Sequence, residues 1–546
     1  MGTFSIQGNI INISKKTISI GELTVLKGHI LSISISKEGV FDPSLPYISP
    51  GFIDAHVHIE SSMLTPAEFA RLAVVHGTVA TVSDPHEIAN VCGMEGVRFM
   101  IQNGKQVPFK FNFGAPSCVP ATFFETAGAV LNAADVKELL NDKDIRYLTE
   151  MMNFPGAIFG DHEVLEKINA AHELRKPVDG HAPGLSGDDL RTYVGRGIST
   201  DHECFTIEEA QEKLALGMII IIREGSAAKN FNELNPLIES HPDKIMFCSD
   251  DKHPDSLVIG HINLLCSRAV EKGYNIFNIL QAACINPILH YGLEVGMLRV
   301  GDPADFILLE DLKQFKVLAT YIDGVQVSEN DKSFIKRCPL ISEPLNHFHC
   351  EKINSDDLIV EASGEYTIPV IGCIDGQLIT LKKKLLPTLV GGSWNCNLAN
   401  DVLKIVVVNR YHPAPVSKAF VNGFGLKHGA IASSVAHDSH NIVAVGVDDE
   451  SIMRAINLII RQKGGISCVS ENFEQMLSLP VAGLMSADDG YAVSQSYTAL
   501  DRQAKELGST LAAPFMSLSF MALLVIPHVK LSDKGLFDGD QFCLYS

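Results

Sequence analysis

The sequence predicts an α/β protein centred on a (β/α)8 TIM-type barrel. A small β-domain is built from both flanks of the barrel, and a C-terminal α+β domain follows. Three observations carry this prediction. Candidate strands recur about every 20–35 residues between 51 and 250, with helical patterns between them, as parallel βα units require. Short β-branched runs that precede residue 50 return after Gly301-Asp302-Pro303-Ala304-Asp305. From about residue 350 the alternation gives way to a new mixture of strands and an amphipathic helix. The expected boundaries are 1–50 with 296–345 for the small β-domain, 51–295 for the barrel and 346–546 for the C-terminal domain.

The elements follow in order. Ile10 to Ile13, Thr17 to Ile20 and His29 to Ile33 alternate with turn residues and read as short strands. The eight barrel strands are Gly51 to Asp54, Val79 to Ser83, Phe109 to Phe113, Arg146 to Thr149, Pro177 to Asp179, Gly197 to Thr200, Met218 to Ile222 and Ile245 to Cys248. Eight such units in about 250 residues suit a closed barrel. The alternative, an open doubly wound sheet, is weakened because no GxGxxG follows a strand, and Gly423-Phe424-Gly425 runs on into Leu426-Lys427-His428. Phe306 to Leu309 and Val317 to Gly324 continue the small β-domain from the far side. Leu403 to Val408 and Ile442 to Val447 read as strands of the last domain, and Ile452 to Arg461 as its amphipathic helix.

Composition narrows the function classes. With 44 basic and 64 acidic side chains the net charge is −20, which disfavours a nucleic-acid partner. The 12 cysteines form no CxxC pair and read as reduced, mostly buried thiols. The start, Met1 to Ile6, lacks the basic-then-apolar order of a signal peptide, and the apolar run ending at Ile222 is cut off by Arg223-Glu224. The expectation is a cytoplasmic protein with a small-molecule substrate and no membrane or nucleic-acid partner. A homodimer is expected only because two-fold pairs are common.

In a barrel of this kind the chemistry sits at the C-terminal strand ends. The first strand leads into His56-Val57-His58, whose imidazoles at i and i+2 of an extended segment share one side. A lone HxH is weak evidence for metal. The fourth strand, however, leads to Glu150, the fifth to His181, the sixth to His202 and the eighth to Asp250. Each has a bland reading: His181 as a satisfied loop histidine, Asp250 as a helix N-cap. Jointly they supply enough ligands for two divalent ions about 3.5–4 Å apart if one carboxylate bridges. Asp201 before His202 and Asp179 before His181 are expected to orient those imidazoles, although strand alternation also lets them face outward.

His56-Val57-His58 after Pro50-Gly51-Phe52-Ile53-Asp54, with His181, His202, Asp250 and Gly296 to Asp305, resembles the amidohydrolase superfamily. The fuller set resembles bacterial-type adenine deaminases over nearly the whole chain. It comprises Asp54 to Ser62, Ser83 to Asn90, Glu150 to Gly156, Asp179 to Gly184, Thr200 to Glu203, Ser249 to Pro254 and Gly429 to Asp449. The resemblance implies hydrolytic deamination of adenine at two divalent ions, Mn²⁺ or Fe²⁺, with Zn²⁺ compatible with the same donors. Relatives that use a carboxylated lysine after the fourth strand differ here, because Glu150 stands at that place and no lysine occurs from Tyr147 to Gly160. His58-Ile59-Glu60 matches the HxE of the other zinc deaminase fold only formally, since no PCxxC follows.

Roles follow from this frame. Asp250 shuttles a proton, and Glu87, with His86 beside it, is the expected acid near the ring nitrogen, against the bland reading of a turn and helix cap. Asp251 and His253 are expected to contact substrate or orient the metal ligands. His437, Asp438 and His440 read as a lid over the barrel mouth, as an additional metal site, or as a polar loop before a strand. The alternatives for the whole chain are an amidohydrolase acting on another amino-heterocycle or cyclic amide, and a metal-free scaffold of the same fold.

Overall fold

The computed structural model describes residues 2–340, 343–362 and 367–545. The expected C-terminal domain includes 363–366 and 546, which lie outside the described residues. Eight central strands, numbered here β1 to β8, are Phe52–Val57, Thr78–Ser83, Lys110–Ala115, Ile145–Met151, Val178–Gly180, Thr200–Asp201, Ile219–Arg223 and Ile245–Cys248. β1, β2, β5 and β8 are buried throughout; β8 is continuously apolar, whereas β1 and β5 also bury Asp54, His56 and Asp179. All pairings are parallel, with β1 to β5 in one ladder and β6 to β8 in a second. Isolated parallel bridges at Val178–Ile198 and Val57–Asp250 join the two ladders at both edges. The arrangement is TIM-barrel-like, and every strand delivers its C-terminal end to the same face. Several helices between strands start at side-chain caps. Asn132 accepts from the Ala134 and Asp135 N–H groups, and Thr206 from the Glu209 N–H.

One flanking sheet combines both sides of this unit. Thr3–Asn12, Thr17–Leu26, His29–Lys37 and Tyr47–Pro50 share it with Phe306–Leu309, Val317–Ile322, Val325–Glu329 and Lys332–Ser333. The join is antiparallel, Phe306 opposite Pro50 and Leu309 opposite Tyr47. Tyr47–Pro50 runs through Gly51 directly into β1, so this sheet aims the strand that carries the HxH pair. A Cβ on Gly51 would lie 2.3 Å from Val79 Cγ1, which only glycine avoids.

The last part holds a second eight-stranded sheet. Its centre is Ser417–Asn422, Val402–Val408, Ile442–Gly446 and Ala430–Ser433 in spatial order. Helix Asp449–Gln462 packs on one face through Ile452, Ala455, Ile456 and Ile459, at helical spacing. On the other face one apolar cluster runs without a break from Val57, Ile59 and Met63 to Leu403, Ile431, Phe515 and Leu523. The C-terminal sheet is therefore docked against the β1 strand end through shared core. No helix among the described residues is long and apolar enough to cross a membrane.

Candidate active site

All six ligand-type side chains expected at strand ends meet in one buried cluster. His56 Nε2 and His58 Nε2 are 3.1 Å apart, and Asp250 Oδ1 lies 3.5 Å and 3.3 Å from them. Glu150 spans the cluster. Its Oε1 is 3.4 Å from His58 Nε2, and its Oε2 is 2.7 Å from His181 Nδ1 and 3.1 Å from His202 Nε2.

The backbone explains the convergence. The Asp250 N–H donates to the His56 carbonyl at 3.0 Å, and the His58 N–H to the Asp250 carbonyl at 3.3 Å. The bridge that joins the two ladders thus also fixes Asp250 against the HxH pair. Asp250 takes a left-handed φ of 52°, which aspartate tolerates better than most residues. Asp54 braces the turn from within β1, accepting from the Ser249 N–H at 2.9 Å and pairing with His261 Nε2 at 2.8 Å.

Most of the remaining expected residues gather above this cluster. His86 Nδ1 lies 3.0 Å from Asp84 Oδ2 and 3.4 Å from Glu150 Oε1. Both oxygens of Glu87 are engaged, one by His437 Nδ1 and the other by His440 Nε2 at 2.5 Å. His437 Nε2 is 3.6 Å from Asp251 Oδ1, which accepts from Ser61 Oγ at 2.5 Å, and Asp438 Oδ1 is 3.8 Å from His86 Nε2. A narrow cavity lies between, lined by His58, His86, Glu87, Glu150, His181, His202, Asp250, Asp251, His437 and Asp438, with Leu378 and Leu523 as apolar lining. His253 does not line it; its Nδ1 meets the Tyr497 hydroxyl at 2.5 Å. His440 stands behind Glu87. The loop carrying His437 and His440 is thus buried against the barrel mouth, not a solvated connection.

Asp201 and Asp179 are a correction. Asp201 Oδ2 accepts from Lys213 Nζ at 3.1 Å and from the Ala182 N–H at 3.1 Å, and Asp179 Oδ2 accepts from the Tyr291 hydroxyl at 2.8 Å. Neither carboxylate hydrogen-bonds the histidine it was expected to orient. The sequence assigns no individual role to three residues of the cluster: Asp84, Glu203 and Arg223. Arg223 ends β7 and was visible to the strand-end rule, but arginine is no metal ligand. Its Nη1 donates to Asp250 Oδ2 at 2.9 Å and its Nη2 to Glu203 Oε2 at 2.9 Å.

Electrostatics follow the contacts. Burial pushes the Glu150 and Asp250 carboxyls up. His181 and His202 around the first, and Arg223 with His56 and His58 around the second, outweigh it and hold both well below the usual range. Glu87 is held well below in the same way, by His437, His440 and His86 against burial. Burial lowers His437, but Glu87 and Asp251 raise it further, to about 9.

The donor set fits divalent cations. Imidazole and carboxylate atoms lie within 4.8 Å of one another in the groups His56–His58–Asp250 and His56–Glu150–His202, and no cysteine lines the cavity. Two imidazole nitrogens turned toward each other and toward one carboxylate oxygen satisfy a cation better than they satisfy one another. Buried His56 Nδ1 and His181 Nε2 have no hydrogen-bond partner among the described residues.

The amidohydrolase family model matches residues 47–327, and the adenine deaminase C-terminal domain matches 377–543. An adenine deaminase of Sulfurovum sp. is 55% identical over 98% of this chain and 98% of its own. Those of Salinibacter ruber and Methanosarcina acetivorans are each 52% identical, over 99% and 96% of this chain and 98% and 95% of theirs. The chain belongs to the adenine deaminase family. Within that frame the two matched regions divide the cavity between them. The amidohydrolase region carries the ligand cluster, and the family's C-terminal domain supplies Leu378, His437, Asp438 and Leu523.

Proposed function

We propose that the chain hydrolyses adenine to hypoxanthine and ammonia, a step of purine salvage, in a closed (β/α)8 barrel capped by its C-terminal domain. His56, His58, Glu150, His181, His202 and Asp250 would hold two divalent ions, Mn²⁺ or Fe²⁺, with one Glu150 oxygen toward each half of the cluster. When bound, such ions lower the pKa of water toward neutrality. Asp250 works through one oxygen. Oδ2 is tied to Arg223, so Oδ1 is the atom that accepts a proton from the attacking water and passes it to the amino group leaving C6. The ring nitrogen needs a donor, and the Glu87–His437 pair provides it. Glu87 anchors Nδ1, while buried Nε2 faces the cavity without a hydrogen-bond partner among the described residues. Glu87 then serves as the anion that keeps the proton on His437, rather than as the donor itself.

The observation that carries this reading is the convergence of six ligand-type side chains from five strand ends in one buried cluster, in which Glu150 meets His58, His181 and His202 and Asp250 meets His56 and His58. The test is product analysis with Mn²⁺-loaded protein. Equal amounts of ammonia and hypoxanthine are expected, and Asp250→Asn is expected to slow turnover by about 10²–10⁴-fold. Bound metal without ammonia from adenine would overturn the substrate assignment. Ring opening without ammonia would turn the reading toward cyclic amides.

A further inference from the structure

A second cavity, of about 580 Å³, lies beside the barrel mouth and shares no lining residue with the first. It is formed by the loop after β7 (Glu224, Gly225, Lys229), the segment after β8 (Lys252, His261 and, from helix Pro254–Ile259, Ser256) and helix Ile262–Glu271, which contributes Leu264, Leu265 and Arg268. Its charge is unusual for a chain of net −20: three cationic side chains face one carboxylate, Glu224. That carboxylate is already committed to Arg268, at 2.6 Å. Lys252 is only 7% exposed, and its ammonium, which reaches solvent through the cavity, makes no hydrogen bond or ion pair with any described residue. An ammonium so largely withdrawn from water and without a counter-charge is stabilised by an anion that meets it. In TIM-type barrels the loops after the seventh and eighth strands often form a phosphate site. Nothing in the proposed deamination uses this cavity.

We propose that the cavity is an oxyanion site, taking a phosphate or a phosphoryl group between Lys252, Lys229 and Arg268. Lys252 sits in the buried end and Lys229 at the exposed mouth, so the anion enters from solvent and not through the active site. Ile259 and Leu264 beside the opening offer apolar surface to whatever carries the group. The site adjoins the catalytic cluster along the chain, since Glu224 follows Arg223 and Lys252 follows Asp251.

Titration calorimetry on the metal-loaded full chain tests this, with inorganic phosphate and adenosine monophosphate as separate probes. Saturable binding at one site per chain is expected, undisturbed by adenine. Lys252→Met and Lys229→Glu are each expected to weaken it by at least about tenfold, because each removes a charge-assisted contact. Lys229 is exposed, so its variant decides the matter should Lys252→Met fail to fold. Phosphate binding alone supports a free oxyanion, and tighter binding of the nucleotide supports a phosphorylated metabolite. The proposal is overturned if neither probe binds below about 10 mM. It is equally overturned by binding that ignores both substitutions, or by displacement with adenine, which would place the anion in the metal cluster.

Discussion

Replacing Arg223 with Met would strand two buried carboxylates. The guanidinium is 2% exposed, donates from Nη2 to Glu203 Oε2 and from Nη1 to Asp250 Oδ2, each at 2.9 Å, and also contacts Glu203 Oε1 through Nη1. Removing one partner of a buried ion pair typically costs about 3–5 kcal/mol, because the remaining charge is left without compensation. At about 2–4 °C per kcal/mol for a unit of this size, the melting temperature of the metal-stripped protein should fall by about 6–20 °C. The pH dependence has a definite sign. Arg223, with His56 and His58, outweighs burial and holds the Asp250 carboxyl well below its ordinary value. A depressed carboxylate stabilises above its unfolded pKa, about 3.9, and that contribution is lost as pH falls through the folded value. Without Arg223 the largest opposing charge is gone, so burial pushes the carboxyl up from its depressed position. The deficit should therefore be large near pH 7 and shrink toward about pH 5, where the stranded groups can protonate. Thermal melts of the two proteins at both pH values measure it, and Glu203→Gln added to Arg223→Met should recover part of the loss. A shift under about 2–4 °C, or one of equal size at both pH values, would refute the reasoning.

Three further outcomes are expected. Glu87 and Asp251 raise His437 to about 9 against burial, so its contribution to stability is complete below about pH 6.5 and is lost as pH rises through about 9. Urea midpoints across that window should decline, and Glu87→Gln should flatten the slope. Stripping divalent ions with a chelator should abolish ammonia release, with Mn²⁺ restoring it as the counted metal returns; full activity in metal-free protein would remove the metal reading. Tyr497→Phe leaves buried His253 Nδ1 without its 2.5 Å partner and should cost about 1–3 kcal/mol. His253→Leu in that background should return part of the loss, and a neutral single variant would show that the contact carries no stability.

Two of the central strands are legible because burial on both faces leaves an uninterrupted apolar run, Ile219 to Ile222 and Ile245–Cys248. The positions at and just beyond the ends of such runs hold His56, His58, Glu150, His181, His202 and Asp250, since one barrel end gathers every strand terminus. The same rule reaches Arg223, whose guanidinium is no metal ligand and whose role rests on two carboxylates that follow other strands. Asp201 and Asp179 failed for a different reason. Sequence proximity suggested that each would serve the histidine beside it, whereas Asp201 is taken by Lys213 of helix Ile207–Ala215 and Asp179 by Tyr291 of helix Asn286–Tyr291. Partners that arrive from another element leave no mark in local spacing.

The His437 loop shows that limit most fully. Its contact with Glu87 spans 350 residues and joins two domains, so no periodicity could reveal it. Composition alone describes a polar turn between the strands Ala430–Ser433 and Ile442–Gly446, and a polar turn belongs in water. Yet His437 is 2% exposed and His440 is fully buried. Buried polar groups are mostly held by partners, and the partner that both imidazoles share is one carboxylate on the barrel. Glu87 in turn is held ionised in a buried setting mainly by those two imidazoles. Each side thus supplies what makes burial of the other tolerable. It follows that the loop and the barrel mouth are stable in this form only together, and that the C-terminal domain completes the cavity rather than covering one already formed.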